Sequence, residues 1–358
     1  FNLQFAKWAR MYFDKGVIRK YIELEQFDGG DEISAYDLSN GYYLRSQRET
    51  NGTYRITLPE SNVDREVIVW NASEVREVGQ LHSFTPESFD AGDYDFVILY
   101  HPAMAELVGG TDYVEAYANY RASAAGGSYR VAKVSVAGLY DQFAYGIHTH
   151  SLAVRNFAQY ARTIWPNIRY FLILGKGLEY PYYREGGPDP AYFFVPTFGT
   201  PAADIVLVSD RDYRPFCSFG RLPAVSGNEI KTYLDKLRSH EAYLSATSHE
   251  ASTRAWLKRI VHLSGGDPSI YALISAQLAG MEGVIENNDM GAQVETFYKQ
   301  SSSTIEVANS ELLRKYINEG SSIITFMGHS AAVRLDFNLE NVDSYLNKDR
   351  YHLFMALG

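Results

Sequence analysis

Along residues 1–89, apolar positions alternate with polar ones in short runs, as at 53–58 and 66–70, and Gly, Asn and Asp break the runs. A period of two with turn residues between runs predicts half-buried strands, so residues 1–90 are expected to form an N-terminal β domain. The rhythm changes at Tyr94. A solid apolar run at 95–100 is followed by Tyr113, Tyr117 and Tyr120 at helical spacing, and then by a second strand-like run at 130–136. Strand, helix, strand in succession predicts a parallel sheet, because parallel neighbours need a crossover long enough to bring the chain back.

The alternation continues with a helix through Val154, Phe157, Ala161 and Ile164 and a strand at Tyr170–Leu174. The stretch Gly186-Gly187-Pro188-Asp189-Pro190 punctuates the chain, which places a first α/β subdomain at 91–185 and a second at 186–358. Within the second, 205–208 and 216–219 read as strands. Ser226 with Glu229 reads as a capping box that opens a helix through Ile230, Leu234 and Leu237. A strand at 259–263, a helix carrying Leu273, Ile274, Leu278, Met281 and Ile285, and a strand at Gln293–Tyr298 follow. Asn309 is expected to cap a short helix that Gly320 ends, and 322–327 and 352–357 read as the last strands. No repeat with a period of about 20 to 50 residues is visible.

Composition narrows the function classes. Hydrophobic residues at 46% and charged residues at 21% are those of an ordinary folded chain, so long disordered tracts are not expected. A net charge of −10, with no basic run to track a phosphate backbone, argues against a nucleic-acid partner. The apolar runs are strand-sized, well short of the roughly 20 residues that a membrane span needs. The 28 tyrosines suit polypeptide or glycan contact, and also the ordinary packing of sheet edges with the hydroxyl in water. Cys217 is the lone cysteine, so no disulfide forms within the chain. The chain starts without Met and stops inside a predicted strand, from which both ends are expected to be cuts.

Reactive groups of an open parallel sheet collect just past the carboxyl ends of its strands. Two such ends matter. The run Ile323-Ile324-Thr325-Phe326-Met327 leads into Gly328-His329-Ser330, which delivers an imidazole between two small residues, as a general base or acid requires; a lone strand-end His also reads as a structural imidazole. The run Leu353-Phe354-Met355-Ala356-Leu357-Gly358 is expected to lie beside it. A Cys at the next position would put thiol and imidazole on adjacent tips, the dyad geometry of acyl transfer. Asp267 follows another strand end and is a candidate to orient His329, while its place before Pro268 also reads as a helix N-cap.

Ordered elements give these ends a family context. Gly328-His329-Ser330, then Leu335-Asp336-Phe337-Asn338-Leu339, then the strand ending at Gly358 resemble the His-to-Cys stretch of the gingipain-like C25 cysteine peptidases. Upstream, Leu139-Tyr140-Asp141-Gln142-Phe143-Ala144-Tyr145-Gly146, Ala153-Val154-Arg155-Asn156-Phe157, Tyr170 to Gly175, and Phe219-Gly220-Arg221-Leu222-Pro223-Ala224 are similar to further family elements in the same order. Asp336-Phe337-Asn338-Leu339 after a Gly-His-Ser is closest to the PorU-like sortases of type IX secretion systems.

The resemblance implies a caspase/gingipain-like α/β fold with parallel sheets flanked by helices after an N-terminal β domain. It implies a cysteine endopeptidase or transpeptidase that removes C-terminal signal domains from exported cargo, with secretion-system outer-membrane components as partners and the extracellular face of the outer membrane as its place. The roles implied are His329 as acid and base and the Ser330 backbone N–H in the oxyanion hole; Asp267 stays a candidate orienter from its strand-tip position alone, beside its reading as a helix N-cap. Ser330 and Lys176 stand where relatives carry Gly and Asp, so a catalytically degenerate docking scaffold is the alternative.

Other candidates read more simply. Cys217 in Pro215-Phe216-Cys217-Ser218 is expected mid-strand, as a buried thiol. His148-Thr149-His150 has the form of a two-His metal ligand, without a third ligand nearby and with Thr149 and Ser151 placed to cap a helix. Gly175-Lys176-Gly177 lacks the third glycine of a phosphate loop. No cofactor is required by the implied chemistry. A structural Ca²⁺, as gingipain relatives use, has candidate ligands at Asp210, Asp212, Asp336 and Asn338, which also read as solvated loops.

Overall fold

The structure is a computed structural model and describes residues 1–75, 83–179, 182, 192–265, 269–289, 291–298, 304–328, 330–331, 334–335 and 342–357. The chain divides into two compact units, Phe1–Phe84 and Thr85–Gly358.

The first unit is antiparallel. Strands β1 (Trp8–Phe13), β2 (Lys20–Leu24), β3 (Ile33–Asp37), β4 (Tyr42–Tyr43), β5 (Ser46–Arg48), β6 (Tyr54–Leu58) and β7 (Arg65–Asn71) form one sheet ordered β1-β7-β3-β4 and another ordered β2-β6-β5. Burial alternates along β3, β6 and β7, as a period of two dictates. Ile22, Leu24, Ile56 and Leu58 from one sheet close a core with Ala35, Val67 and Val69 from the other.

The second unit holds two parallel sheets. The first uses β8 (Phe96–Tyr100), β9 (Val131–Ser135), β10 (Tyr170–Leu174) and β11 (Ser218–Leu222), ordered β11-β10-β8-β9. Its crossovers are α1 (Tyr113–Ala122), then α2 (Val136–Phe143) with α3 (Ser151–Ile164); α4 (Gly227–Ala246) follows β11. The second sheet uses β12 (Arg259–Ser264), β13 (Gln293–Tyr298), β14 (Ile323–Met327) and, after the short hairpin β15 (Ser330–Ala331) and β16 (Arg334–Leu335), β17 (Leu353–Leu357). Its order is β13-β12-β14-β17, with helices α5 (Tyr271–Glu286) and α6 (Thr304–Glu319) as crossovers.

The two sheets have one topology. Numbering the strands of each sheet by chain order gives 2-1-3-4 in both, and the backbone hydrogen bonds that frame the strands recur. His101 N–H donates to the Leu174 carbonyl (3.3 Å) as Gly265 N–H does to that of Met327 (2.8 Å), and Gly175 N–H donates to Leu222 (3.0 Å) as Gly328 N–H does to Leu357 (3.1 Å). At the amino ends, Arg169 N–H to Asp95 (2.9 Å) matches Ser322 N–H to Arg259 (2.9 Å). Gly175 and Gly328 both take positive φ, 143° and 156°, which glycine adopts without a Cβ penalty.

Three local readings are corrected. The run 205–208, expected as a strand, is a turn of 3₁₀ helix, Asp204–Val208, which turns Asp204 onto Arg221. Asn309 lies inside α6, which starts at Thr304. Ser226 precedes α4 without a side-chain cap bond, and Glu229 accepts from the Val225 N–H (2.9 Å).

Arg221 ties the carboxyl end of the first sheet together. Its side chain is only 10% exposed and pairs with Asp204. It also donates to the carbonyls of Gly175 (2.8 Å), Val195 (2.9 Å) and Pro196 (3.2 Å). A buried guanidinium is tolerable because every donor direction finds an oxygen, and removing one side of such a pair strands the other. Arg221→Ala is therefore expected to destabilise the second unit by about 3–5 kcal/mol, which lowers its thermal midpoint by on the order of 10 °C. Arg211→Ala at an exposed position is the control, and an equal midpoint in the two variants would refute the clamp.

Candidate functional site

The order 2-1-3-4 places a topological switch point between strands one and three of each sheet, where a crevice opens outside the carboxyl ends. In the first sheet that crevice is filled by the chain itself. The Lys176 carbonyl accepts from the N–H groups of Phe194 (2.9 Å) and Val195 (3.1 Å), and the Phe194 ring packs on His101. His101 Nδ1 accepts from the Ala103 N–H (3.2 Å), which ends its availability as a base.

In the second sheet the corresponding ends are Ser264, Met327 and Leu357. Ser264 pairs in register with Met327, and Met327 with Leu357, so three strand ends stand level. The Ser264 Oγ is buried with no hydrogen-bond partner among the described residues. Adjacent strands run about 4.8 Å apart, a spacing that lets groups on neighbouring tips exchange a proton. The expected acid-base residue His329 and its expected orienter Asp267 lie outside the described residues, as does Gly358. The structure does place the strands that lead to them: β12 precedes Asp267, β14 precedes His329, and the two are neighbours. The backbone of Ser330 belongs to β15 and pairs with Leu335.

The remaining candidates sort by position. Cys217 stands just ahead of β11, at the amino end of the first sheet and opposite to the tips, half-buried against the core around Phe171 and Ile173. Burial pushes its thiol up to about 12, so almost no thiolate exists at neutral pH. His150 Nδ1 accepts from the Leu152 N–H (3.1 Å) and caps α3, while His148 faces Asp141. Among the described residues no three His, Cys, Asp or Glu side chains gather as a metal site. Asp210 Oδ1 accepts from the N–H groups of Asp212 and Arg214 (2.9 Å each), so that loop closes on its own backbone; Asp336 and Asn338 lie outside the described residues.

Two groups near the tips carry no signal in the hydrophobic pattern. Besides Ser264, His262 is buried in β12 at 1% exposure, and its Nδ1 has no partner among the described residues. Its only mark in the sequence is a polar residue inside an otherwise apolar strand.

Parallel strands whose ends stand level at a topological switch point define a class, the α/β proteins that place side chains on strand tips. The chain belongs to Peptidase family C25, whose model matches residues 90–358, and so to the cysteine-peptidase class of the gingipain family. The helix-flanked parallel sheets, which follow an antiparallel unit in the sequence, are consistent with a caspase-like C25 domain. No curated protein and no solved structure matches the chain. No helix among the described residues is long and apolar enough to cross a membrane.

Two outcomes follow from these environments. Cys217 is expected to resist iodoacetamide at pH 7.5 in the native protein and to react on unfolding; rapid native labelling mapped by mass spectrometry would contradict its burial. Desolvation lowers the pKa of His262, against a smaller opposing effect of Glu282, and desolvation also lowers those of His101 and His352. The unfolded chain then binds more protons once the pH drops through the ordinary value of 6.5, so stability is complete above that pH and declines from there toward the depressed folded values. The urea midpoint is expected to be lower at pH 5 than at pH 7.5, and His262→Leu to narrow the difference; a slope unaltered in that variant would show that His262 does not contribute.

Proposed function

We propose that this chain carries the acid-base half of a cysteine endopeptidase or transpeptidase, with the thiol delivered by the position that follows Gly358 in the full-length protein. The observation that supports it is the register of β14 with β17, Met327 opposite Leu357, which brings the polypeptide leaving each strand out side by side.

His329 takes the thiol proton, and the thiolate attacks the scissile carbonyl carbon. The resulting oxyanion is met by backbone N–H groups at the strand ends, that of Ser330 among them. As the C–N bond breaks, the imidazolium returns its proton to the leaving amine, and the thioester passes its acyl group to water or to an acceptor amine. Asp267 holds the imidazole in the tautomer that makes this possible. The step needs no cofactor, and any Ca²⁺ would be structural. The substrates are exported polypeptides with a C-terminal signal domain, processed by a sortase-like enzyme at the outer face of the outer membrane beside secretion-system components.

In the full-length protein, His329→Ala is expected to lower cargo processing by at least a thousandfold while leaving the thermal midpoint unchanged. Undiminished processing in that variant would refute the assignment. Cargo binding without reaction of the wild type toward a thiol-directed peptide probe would assign the docking-scaffold role instead.

A further inference from the structure

A sheet meets other chains at its edges, and β9 is an edge of the first sheet in the order β11-β10-β8-β9. The Phe96 N–H donates to the Arg130 carbonyl (3.3 Å), so along β9 the backbone groups of Arg130, Ala132 and Val134 turn toward β8. Those of Val131 and Lys133 turn the other way. Among the described residues no backbone group pairs with them. Natural edges are blunted by a proline, a bulge, a lysine on the edge or a covering segment. β9 has no proline, keeps an unbroken register with β8, and has its one lysine drawn onto Glu115 of α1.

This free edge is the floor of an open groove of about 400 Å³. The walls stand on opposite faces of the sheet. On one face α1 contributes Glu115 and Asn119; on the other the segment 87–94 runs past, with Phe89 and Tyr94 packed on the core that holds Ala132 and Val134. That segment is fastened from behind: Trp165 Nε1 donates to the Asp90 carbonyl (3.0 Å), and the Gln142 side chain accepts from the Glu87 N–H (3.0 Å) and donates to its carbonyl (3.1 Å). It therefore flanks the edge without pairing with it. A preformed slot with backbone donors and acceptors at its base fits an extended polypeptide, because a strand reaches those groups in series.

Charge narrows the choice of polypeptide. On the α1 side Glu115 is matched by Lys133. On the other side the exposed carboxylates of Glu87 and Asp90 enter no ion pair among the described residues, and Asp90 Oδ1 accepts only a long bond from Ser88 Oγ (3.4 Å). The aromatic rings of Phe89 and Tyr94 beside them suit the aliphatic stem of a basic side chain.

We propose that β9 docks an extended polypeptide segment as a fifth strand of the first sheet, with an arginine or lysine side chain directed to Glu87 and Asp90. Val131 and Lys133 each give it one N–H and one carbonyl, and its side chains fall alternately toward α1 and toward the segment 87–94. Binding there uses no group of the second sheet, so the site is independent of the peptidase chemistry.

The test is fluorescence anisotropy of the full-length protein with a labelled, acetylated and amidated peptide, Thr-Val-Arg-Val-Thr-Val. Saturable binding is expected, and its absence would overturn the proposal. Lys133→Pro, which removes an outward N–H, is expected to weaken binding about tenfold relative to Lys133→Ala, which removes the same side chain and keeps that donor. Equal affinities in the two variants would place the peptide elsewhere and overturn the site. Two peptide analogues N-methylated at complementary alternate residues give a readout that does not depend on how the proline variant folds: one is expected to bind about tenfold more weakly than the other, and equal binding would refute strand addition. Glu87→Gln with Asp90→Asn is expected to weaken the arginine peptide about threefold and to leave its glutamine analogue unaffected; an equal effect on both would refute the assigned role of the carboxylates. Self-association of the protein that Lys133→Pro abolishes, without peptide binding, would put a second copy of the chain on the edge and overturn the proposal.

Discussion

The hydrogen bond from the Gly328 N–H to the Leu357 carbonyl holds the second sheet in the one register that makes its strand ends useful. In a parallel pair, every backbone bond fixes the relative height of the two strands, and a slip of one residue would turn each side chain to the opposite face. Apolar packing keeps that slip from happening, because Ile324 and Phe326 are buried against α6 through Leu313 and Ile317. Glycine at 328 lets the chain leave the strand at a φ of 156° without strain. Backbone geometry and core packing therefore set the position of the tip before any reactive group is considered.

The same construction occurs in the first sheet, with a different outcome. There the crevice is closed by Phe194 and Val195, held through the Lys176 carbonyl and the Arg221 clamp. Arg221 corresponds by register to Ala356 of β17, which offers no guanidinium to tie down a crossing segment. Arg221 and its partner Asp204 thus account for the closure seen at the carboxyl end of the first sheet. The Arg221 side chain is consistent with a scaffolding role for the carboxyl end of the first sheet.

Much of this was legible in the sequence, and the gaps have physical causes. The long apolar strands, the helices between them and the change of rhythm at Tyr94 follow from periodicity, which reports burial directly. The strand ends at Met327 and Leu357 were readable for the same reason. The run Ile205-Val206-Leu207-Val208 misled, because β-branched residues favour strands while the pairing of Asp204 with Arg221 and the core around Leu207 required a tight turn. β11 starts two residues later than the expected 216–219, at Ser218, and runs through Gly220 to Leu222. The likeness of the two sheets left no trace in residue spacing, since it resides in connectivity and hydrogen bonding and not in shared side chains. Ser264 and His262 were missed because a single polar residue in an apolar run has no periodicity.

Helix α4, 20 residues and about 30 Å long, touches both sheets of the second unit. Tyr120 and Arg121 of α1 bind its Glu241, and His240 one position earlier contacts the Asp349 carbonyl (2.8 Å) and the Tyr351 ring just ahead of β17. A rod fastened at both places makes the melting of one sheet costly for the other, so the two behave as a single cooperative block in spite of their separate cores. It is also a mechanical linkage: a tilt of α4 caused by rearrangement beside the first sheet is handed on to the start of β17, at the far end from the tip that the strand presents.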